Sequence, residues 1–146
     1  MNGHCLCGQV RFEIDGSHVK PYQCHCSLCR RQSGVMSNAA SIVANDQFCW
    51  LRGTELISSW KSETGFRSDF CSSCGAPVPN PLRDMPYFWI PAGLLETGGK
   101  MEIVAHLCLA ACRTLGIVAK IKLGEGRFCR FCRAIAGSIA QKSGEI

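Results

Sequence analysis

The stretch CHCSLC, residues 24–29, has three cysteines within six positions and is followed at once by Arg30 and Arg31. Thiolates at this C-x-C-x-x-C spacing can point to one centre, because a tight turn brings each sulfur within about 2.3 Å of a soft metal such as zinc. No other segment of the chain would be so unlikely to occur if its residues served folding alone. The stretch therefore predicts a metal site, and the other cysteines indicate which kind.

Two further pairs of cysteines lie on either side of this stretch in the sequence. Cys5 and Cys7 precede a strand pattern, and Cys71 and Cys74 follow another. Together they supply four thiolates, the number that closes a tetrahedral structural zinc site. The three cysteines of residues 24–29 are then left with one tetrahedral position open, which is typical of a reactive zinc.

Other arrangements of the cysteines stay open, because spacing does not say which pair faces which. The three central cysteines could form a closed site with a distant fourth such as Cys49. A third zinc site could use four cysteines near the C-terminus, although their positions also suit small apolar residues in a core. These four are Cys108, Cys112, Cys129 and Cys132.

The cysteine content itself separates two classes of protein. Cysteine supplies 12 of the 146 residues, as in secreted disulfide scaffolds or metal–thiolate proteins. The first residues, MNGHC, have neither the basic nor the apolar region of a secretory leader. We therefore expect a reducing, cytoplasmic setting with thiolates that bind metal. No uninterrupted apolar run of about 18 residues occurs, so no membrane partner is expected.

The net charge of +5 is confined to the C-terminal third of the chain. Residues 1–99 hold eight basic and eight acidic residues, whereas residues 100–146 hold eight basic and three acidic ones. The body of the chain therefore gives no electrostatic reason to expect nucleic acid as a partner, and the tail gives a weak one through Arg127, Arg130 and Arg133.

Hydrophobic periodicity predicts a mainly β fold. Apolar and polar residues alternate over 10–14, which indicates a half-buried strand that ends at an Asp-Gly turn. Pro77, Pro79 and Pro81 forbid a central strand where they occur. The three tryptophans, Trp50, Trp60 and Trp89, are expected in the core. Further short strands are predicted at 35–43, 47–51, 56–60, 66–70, 85–92 and 101–107.

The composition changes after residue 107. The tail lacks tryptophan, proline and aspartate, and is rich in cysteine and basic residues. We therefore divide the chain into a zinc-binding domain over 1–107 and an atypical tail over 108–146 that can pack on the same domain. The helical spacing of five residues predicts a C-terminal helix in this tail. They are Phe128, Phe131, Cys132, Ile135 and Ile139.

Four motifs in this order resemble those of one known family. They are GxCxCGxVxF from Gly3, CHCxxCRRxxG from Cys24, FxWxxG from Phe48 and FCxxCG from Phe70. Their combination, over about residues 3–106, resembles the glutathione-dependent formaldehyde-activating enzyme family, which shares its domain with centromere-protein-V-like proteins.

The resemblance implies a fold, a metal content and a reaction. The fold is a β-tent of several short antiparallel sheets with two zinc ions per chain. The first zinc is structural, on Cys5, Cys7, Cys71 and Cys74, and the second is catalytic, on Cys24, Cys26 and Cys29. The reaction is that of a carbon–sulfur lyase run toward synthesis, in which glutathione and formaldehyde form S-(hydroxymethyl)glutathione.

The charge of a three-thiolate zinc favours thiol chemistry over hydrolysis. Zinc with three thiolates sums to −1, which makes it a poor activator of water but a suitable anchor for a fourth thiol. Arg30 and Arg31 offset this charge and can hold the carboxylates of a small acidic thiol such as glutathione. Their other interpretation is a solvated turn, and His25 is likewise interpreted as a turn residue.

A second functional class competes with the enzyme. The chain could be a non-catalytic binding module stapled by zinc, which contacts nucleic acid through its basic tail. The incomplete ligand set of residues 24–29 favours the enzyme.

Overall fold

The structure, a computed structural model, describes residues 1–16, 19–96 and 101–112, which contain three small β-sheets, one short α-helix and four short 3₁₀-helices. The helix, α1, spans Ser27–Ser33. The mainly β prediction is confirmed. The strands are β1 (Asn2–His4), β2 (Arg11–Ile14), β3 (Tyr22–Cys24), β4 (Asn38–Ala44), β5 (Phe48–Arg52), β6 (Ile57–Lys61), β7 (Arg67–Cys71), β8 (Pro77–Val78), β9 (Asn80–Pro81), β10 (Tyr87–Pro91) and β11 (Ala105–Leu107).

The sheets differ in size, and the central one contains an unexpected parallel pair of strands. The first has the order β1-β2-β5, the central one β11-β3-β4-β10-β9, and the third β6-β7-β8. Neighbouring strands are antiparallel except β11, which pairs parallel to β3 with Leu107 opposite Cys24. The expectation of several short antiparallel sheets is confirmed, and the pairing of β11 with β3 is the parallel exception among the described strands. It joins two segments that are far apart in the sequence.

The period-two pattern of the first predicted strand is confirmed in β2. Phe12 and Ile14 are fully buried, whereas Arg11 and Glu13 are exposed. The prolines act as predicted, since β8 and β9 are two-residue strands at sheet edges. The strand predicted over 101–107 is shorter than expected, because only its last three residues pair with β3.

Two apolar clusters form the core. One contains Phe12 and Ile14, and Phe48 and Phe88 stack beside it with ring centroids 4.1 Å apart. The second joins the valines Val10 and Val78 to the two buried cysteines of the outer pairs. These are Cys5 and Cys71.

The prediction for the tryptophans is correct in part. Trp50 packs against both apolar clusters, and Trp89 is buried in β10. Trp60 is 55% exposed, so its core assignment is wrong. It lies on the edge strand β6, whose last three residues are all exposed.

Gly53 holds β5 close to the first cysteine pair. Its φ of 79° lies in the left-handed region, and a Cβ at this position would come within 2.4 Å of the Gln9 carbonyl oxygen. Only glycine combines that backbone angle with so close an approach. The glycine of the FxWxxG motif thus has a steric reason, because it packs against the backbone of Gln9 and Val10, just after the first cysteine pair.

Several predictions fall outside the described residues. The C-terminal helix, Cys129, Cys132 and the basic residues around Arg130 belong to this group. The division at residue 107 stays a prediction, although the Arg30 guanidinium bonds to the Ala111 carbonyl oxygen beyond it, at 2.6 Å. Within the described ranges, no helix has the length and apolar character that a bilayer crossing requires.

Candidate metal centres

The first candidate centre joins the two outer cysteine pairs, as the ligand count predicted. The Sγ atoms of these four residues all lie within 4.8 Å of one another. Cys5 Sγ and Cys7 Sγ are 3.4 Å apart, and Cys7 Sγ and Cys71 Sγ are 3.9 Å apart. A zinc tetrahedron with bonds of about 2.3 Å has edges of about 3.8 Å, so the donor set fits such an ion. We call Cys5, Cys7, Cys71 and Cys74 the four-cysteine cluster.

Two similar turns bring these thiols together. In one, the Gly8 N–H donates to the Cys5 carbonyl at 2.9 Å, and in the other the Gly75 N–H donates to the Cys71 carbonyl at 2.8 Å. Both glycines have φ near 72°, which their lack of a side chain permits. The Val10 N–H also donates to Cys5 Sγ at 3.3 Å, a bond that favours the thiolate.

The thiols of this cluster differ in acidity. Burial opposes ionisation of Cys74, yet backbone hydrogen bonds from Ala76 and Cys7 outweigh it and lower its pKa to about 6. At Cys7, a backbone hydrogen bond from Gln9 favours the thiolate, but desolvation and the neighbouring thiols raise the pKa to about 12. Thiolates so close together repel one another. A bound cation relieves that repulsion, so metal binding releases protons here.

The second candidate centre is held between β3 and α1. Cys24 ends β3, Cys26 is the N-cap residue of α1, and Cys29 lies in the first turn of the helix. Their Sγ atoms all lie within 4.8 Å of one another, so this donor set also suits a soft cation. We call these residues the three-cysteine cluster.

A helix takes the place of the expected tight turn. Cys26 Sγ accepts a hydrogen bond from the Cys29 N–H at 3.4 Å, as a capping side chain does. The helix ends at Ser33 and is capped by Gly34, which has a φ of 70° and donates its N–H to the Arg30 carbonyl. Gly34 was the residue in the sequence that could have indicated this helix, because glycine is common just after the last residue of a helix. Cysteine is not a usual cap, so the start of the helix was missed.

A cavity of about 110 Å³ opens onto the three-cysteine cluster. All three of its cysteines contribute to the wall, together with Arg67 and Arg83. The remaining wall is largely apolar, which lowers the local dielectric and strengthens electrostatic contacts with anything bound there. Its apolar members include Leu28, Phe66, Leu82, Met85, Trp89 and Leu107.

The two arginines of this cavity were not predicted. Arg67 Nε donates to the buried Asp69 carboxylate at 2.7 Å, and its Nη2 donates to Ser59 Oγ at 3.1 Å. Arg83 has a φ of 53°, which residues with a Cβ rarely adopt and which is enriched at functional sites. No spacing in the sequence connects these residues to the three-cysteine cluster.

Arg30 and Arg31 line a different cavity, beside Ser27 and Met36. The Arg30 guanidinium donates to the carbonyl oxygens of His25 and Ala111. It thus ties the N-terminal end of α1 to the segment that follows β11. The assignment of these two arginines to substrate carboxylates stays a prediction.

His25 is more than a residue of a turn. It is buried, and its Nε2 lies 3.0 Å from His106 Nδ1, with the two rings stacked 5.3 Å apart. Burial lowers the pKa of His25, and the neighbouring His106 and Arg30 lower it further. The contact between these two rings holds β11 beside the three-cysteine cluster.

Cys49 is not close to the three-cysteine cluster. It lies exposed on β5 in the first sheet, and its thiol donates to the Trp50 carbonyl oxygen at 3.4 Å. It lines a cavity with Glu13, apart from both clusters. The alternative in which Cys49 closes the central site is therefore wrong for this geometry.

Two known proteins are similar to this chain, one in sequence and one in fold. A relative from Halomonas elongata, provisionally named a glutathione-dependent formaldehyde-activating enzyme, is 32% identical over 84 residues, which are 53% of this chain and 54% of the relative. The chain thus spans about half the length of that curated relative. A crystal structure of a Rhodobacter sphaeroides protein has a TM-score of 0.59 at 24% identity, covering 73% of this chain and 99% of that one, which shows a shared fold.

The family profile gives the broadest match. The profile described as "Glutathione-dependent formaldehyde-activating enzyme" matches residues 1–111 of the 146. This range includes both cysteine clusters and every described strand. The chain belongs to the glutathione-dependent formaldehyde-activating enzyme family.

Proposed function

We propose that this chain is a zinc-dependent carbon–sulfur lyase-like enzyme that acts on the adduct of glutathione, or a similar small thiol, with an aldehyde such as formaldehyde. The observation that carries this proposal is the apolar cavity into which all three thiols of the three-cysteine cluster open. Family membership supports the same reaction. The four-cysteine cluster is then a structural zinc site.

The proposed reaction is an addition. In the direction of synthesis, the sulfur of glutathione bonds to the carbon of formaldehyde, and the thiol proton is transferred to the carbonyl oxygen. A zinc ion, when bound, supplies a positive charge that favours the thiolate form of the substrate. The three cysteines would hold that ion, and the apolar wall would keep competing water away from the reacting carbon.

The cavity arginines suit the charge of glutathione. Its two carboxylates need cationic partners, and guanidinium groups bind carboxylates through paired hydrogen bonds. Arg67 and Arg83 belong to the same cavity as the thiols. Arg67 is fixed by Asp69, so it is oriented before a substrate arrives. We therefore assign the carboxylates to Arg67 and Arg83, in place of Arg30 and Arg31, which line a different cavity. A cytoplasmic, reducing compartment is the setting that such free thiols require.

An Arg83→Met variant is expected to raise the KM for glutathione by roughly tenfold to a hundredfold with little change in kcat. The loss of one charge-assisted hydrogen bond of about 1.5–3 kcal/mol gives this range. Methionine keeps the apolar part of the side chain, which limits damage to the cavity wall. Steady-state kinetics with glutathione and formaldehyde measures both constants.

The matched variant is Arg31→Met, which removes one of the two arginines predicted from the sequence. We expect its KM to stay within about twofold of the wild type, because a change outside the binding site has a small effect. A raised KM in Arg31→Met together with an unchanged KM in Arg83→Met would reverse the assignment.

Cobalt-substituted protein tests the proposed function. Glutathione is expected to change the thiolate-to-cobalt absorption, because a new sulfur ligand reaches the three-cysteine cluster. The control ligand is S-methylglutathione, which keeps both carboxylates but lacks the free thiol, and it should leave the spectrum unchanged. The cobalt content after dialysis verifies that glutathione has not removed the metal. A spectrum that glutathione does not alter would exclude this mechanism.

A further inference from the structure

Cys108 lies beside the three-cysteine cluster because of the parallel pairing of β11 with β3. Leu107 is opposite Cys24 in this register, and the His25 N–H donates to the Leu107 carbonyl at 3.0 Å. The chain therefore brings the residue after Leu107 next to the segment that carries the three thiols. The stacked side chains of His25 and His106 also hold these two segments together.

The backbone then turns sharply at Cys108. Its φ of 57° and ψ of 44° lie in the left-handed region, which residues with a Cβ rarely adopt. The turn is closed by the Ala111 N–H, which donates to the Cys108 carbonyl at 3.0 Å. The Arg30 guanidinium, from α1, fixes the turn by bonding to the Ala111 carbonyl. Among the described residues, only Arg83, in the cavity wall, shares such a positive φ without being glycine.

This turn brings the Cys108 thiol into contact with the cluster. The Cys108 thiol lies within hydrogen-bonding reach of the Cys24 and Cys26 thiols. These two cysteines and Leu107, the residue before Cys108, line the same cavity.

We propose that Cys108 is a fourth sulfur ligand of the three-cysteine cluster, so that this chain can close its second metal site with its own thiols. The Cys108 sulfur stands outside the group of three that lies mutually within 4.8 Å, so ligation needs it to move closer to the other sulfurs. This replaces the third zinc site predicted from Cys108, Cys112, Cys129 and Cys132. The fourth ligand comes from the chain that follows β11.

A closed site changes how a substrate thiol enters. Zinc with four thiolates sums to −2, and a fifth sulfur has no tetrahedral position left. Cys108 and glutathione then compete for one position. Only this competition rests on the proposed function. Ligation by Cys108 does not depend on glutathione.

Alkylation by iodoacetamide, followed by peptide mass spectrometry, tests the ligation on the full chain. Cys108 is expected to react at least about tenfold more slowly in the zinc-loaded protein than after chelation, because a bound thiolate is a poor nucleophile. Cys112 is the matched control, since it lies in the same segment with similar exposure. Chelation that merely loosens the fold accelerates both residues alike. Equal acceleration of Cys108 and Cys112 overturns the proposal, and selective protection of Cys108 by zinc supports it.

A Cys108→Ala variant, loaded with cobalt, separates this proposal from the proposed function. Removal of the competing thiol should lower the glutathione concentration for half-maximal spectral change by about tenfold. A Cys112→Ala variant should match the wild type. If glutathione changes neither spectrum while zinc still protects Cys108, the proposed function fails and the ligation stands. If glutathione titrates Cys108→Ala and the wild type identically, the competition is wrong.

Discussion

Replacing Cys5 with serine is expected to lower the free energy of unfolding by more than about 4 kcal/mol, enough to leave much of the population unfolded. Cys5 is completely buried and packs with Val10, Cys71 and Val78. Its thiol belongs to the four-cysteine cluster, which joins the first sheet to the third. Serine removes a metal ligand and also buries a hydroxyl among apolar groups, so the two losses act together.

Urea denaturation followed by tryptophan fluorescence measures this loss. The control is Cys49→Ser, which changes an exposed thiol outside both clusters and should alter stability by less than about 0.5 kcal/mol. Chelation should lower the unfolding midpoint of the wild type far more than that of Cys5→Ser. If chelation leaves the wild-type midpoint unchanged, the four-cysteine cluster does not stabilise the fold through a metal.

A Cys26→Ser variant is expected to lose at least about 100-fold in the rate of S-(hydroxymethyl)glutathione formation, which corresponds to about 2.7 kcal/mol of transition-state stabilisation. Serine is among the best N-cap residues, so its hydroxyl can accept the Cys29 N–H in place of the sulfur. The helix is therefore kept, and the thiolate is lost. NMR exchange spectroscopy with ¹³C-formaldehyde and glutathione measures the rate without a coupled assay.

The matched variant is Cys26→Ala, which loses the thiolate and the cap. It should be as inactive as Cys26→Ser but less stable by about 1 kcal/mol, the usual contribution of an N-cap side chain. Both variants should still unfold cooperatively, because the four-cysteine cluster is intact. A Cys26→Ser protein with the wild-type rate would show that the three-cysteine cluster is not the catalytic centre.

The features that could be predicted from the sequence are those encoded in short segments. The alternation around Phe12 predicts β2, because the pattern of a strand with one buried face is contained in a few consecutive residues. The spacing of Cys71 and Cys74 predicts a knuckle for the same reason, and the count of four thiolates favoured its pairing with Cys5 and Cys7 while other pairings stayed open.

The features that could not be predicted depend on contacts between distant segments. The parallel register of Leu107 with Cys24 follows from tertiary packing, so neither Cys108 nor His106 carried a local sign of its position. Arg83 reaches the cavity through a backbone angle that its sequence context does not reveal. The start of α1 was missed because a cysteine replaces the usual oxygen-bearing cap.

The pairing of β11 with β3 also has a consequence for the growing chain on the ribosome. The thiols of residues 24–29 are synthesised together, whereas β11, which lies beside them, follows about 80 residues later. Contacts of such long range form late, since the loop between them must close first. The nascent chain therefore presents an unfinished three-thiol centre to cellular metals and thiols well before Cys108 can reach it. The four-cysteine cluster can close earlier, once Cys74 has emerged, so the two centres mature in a fixed order.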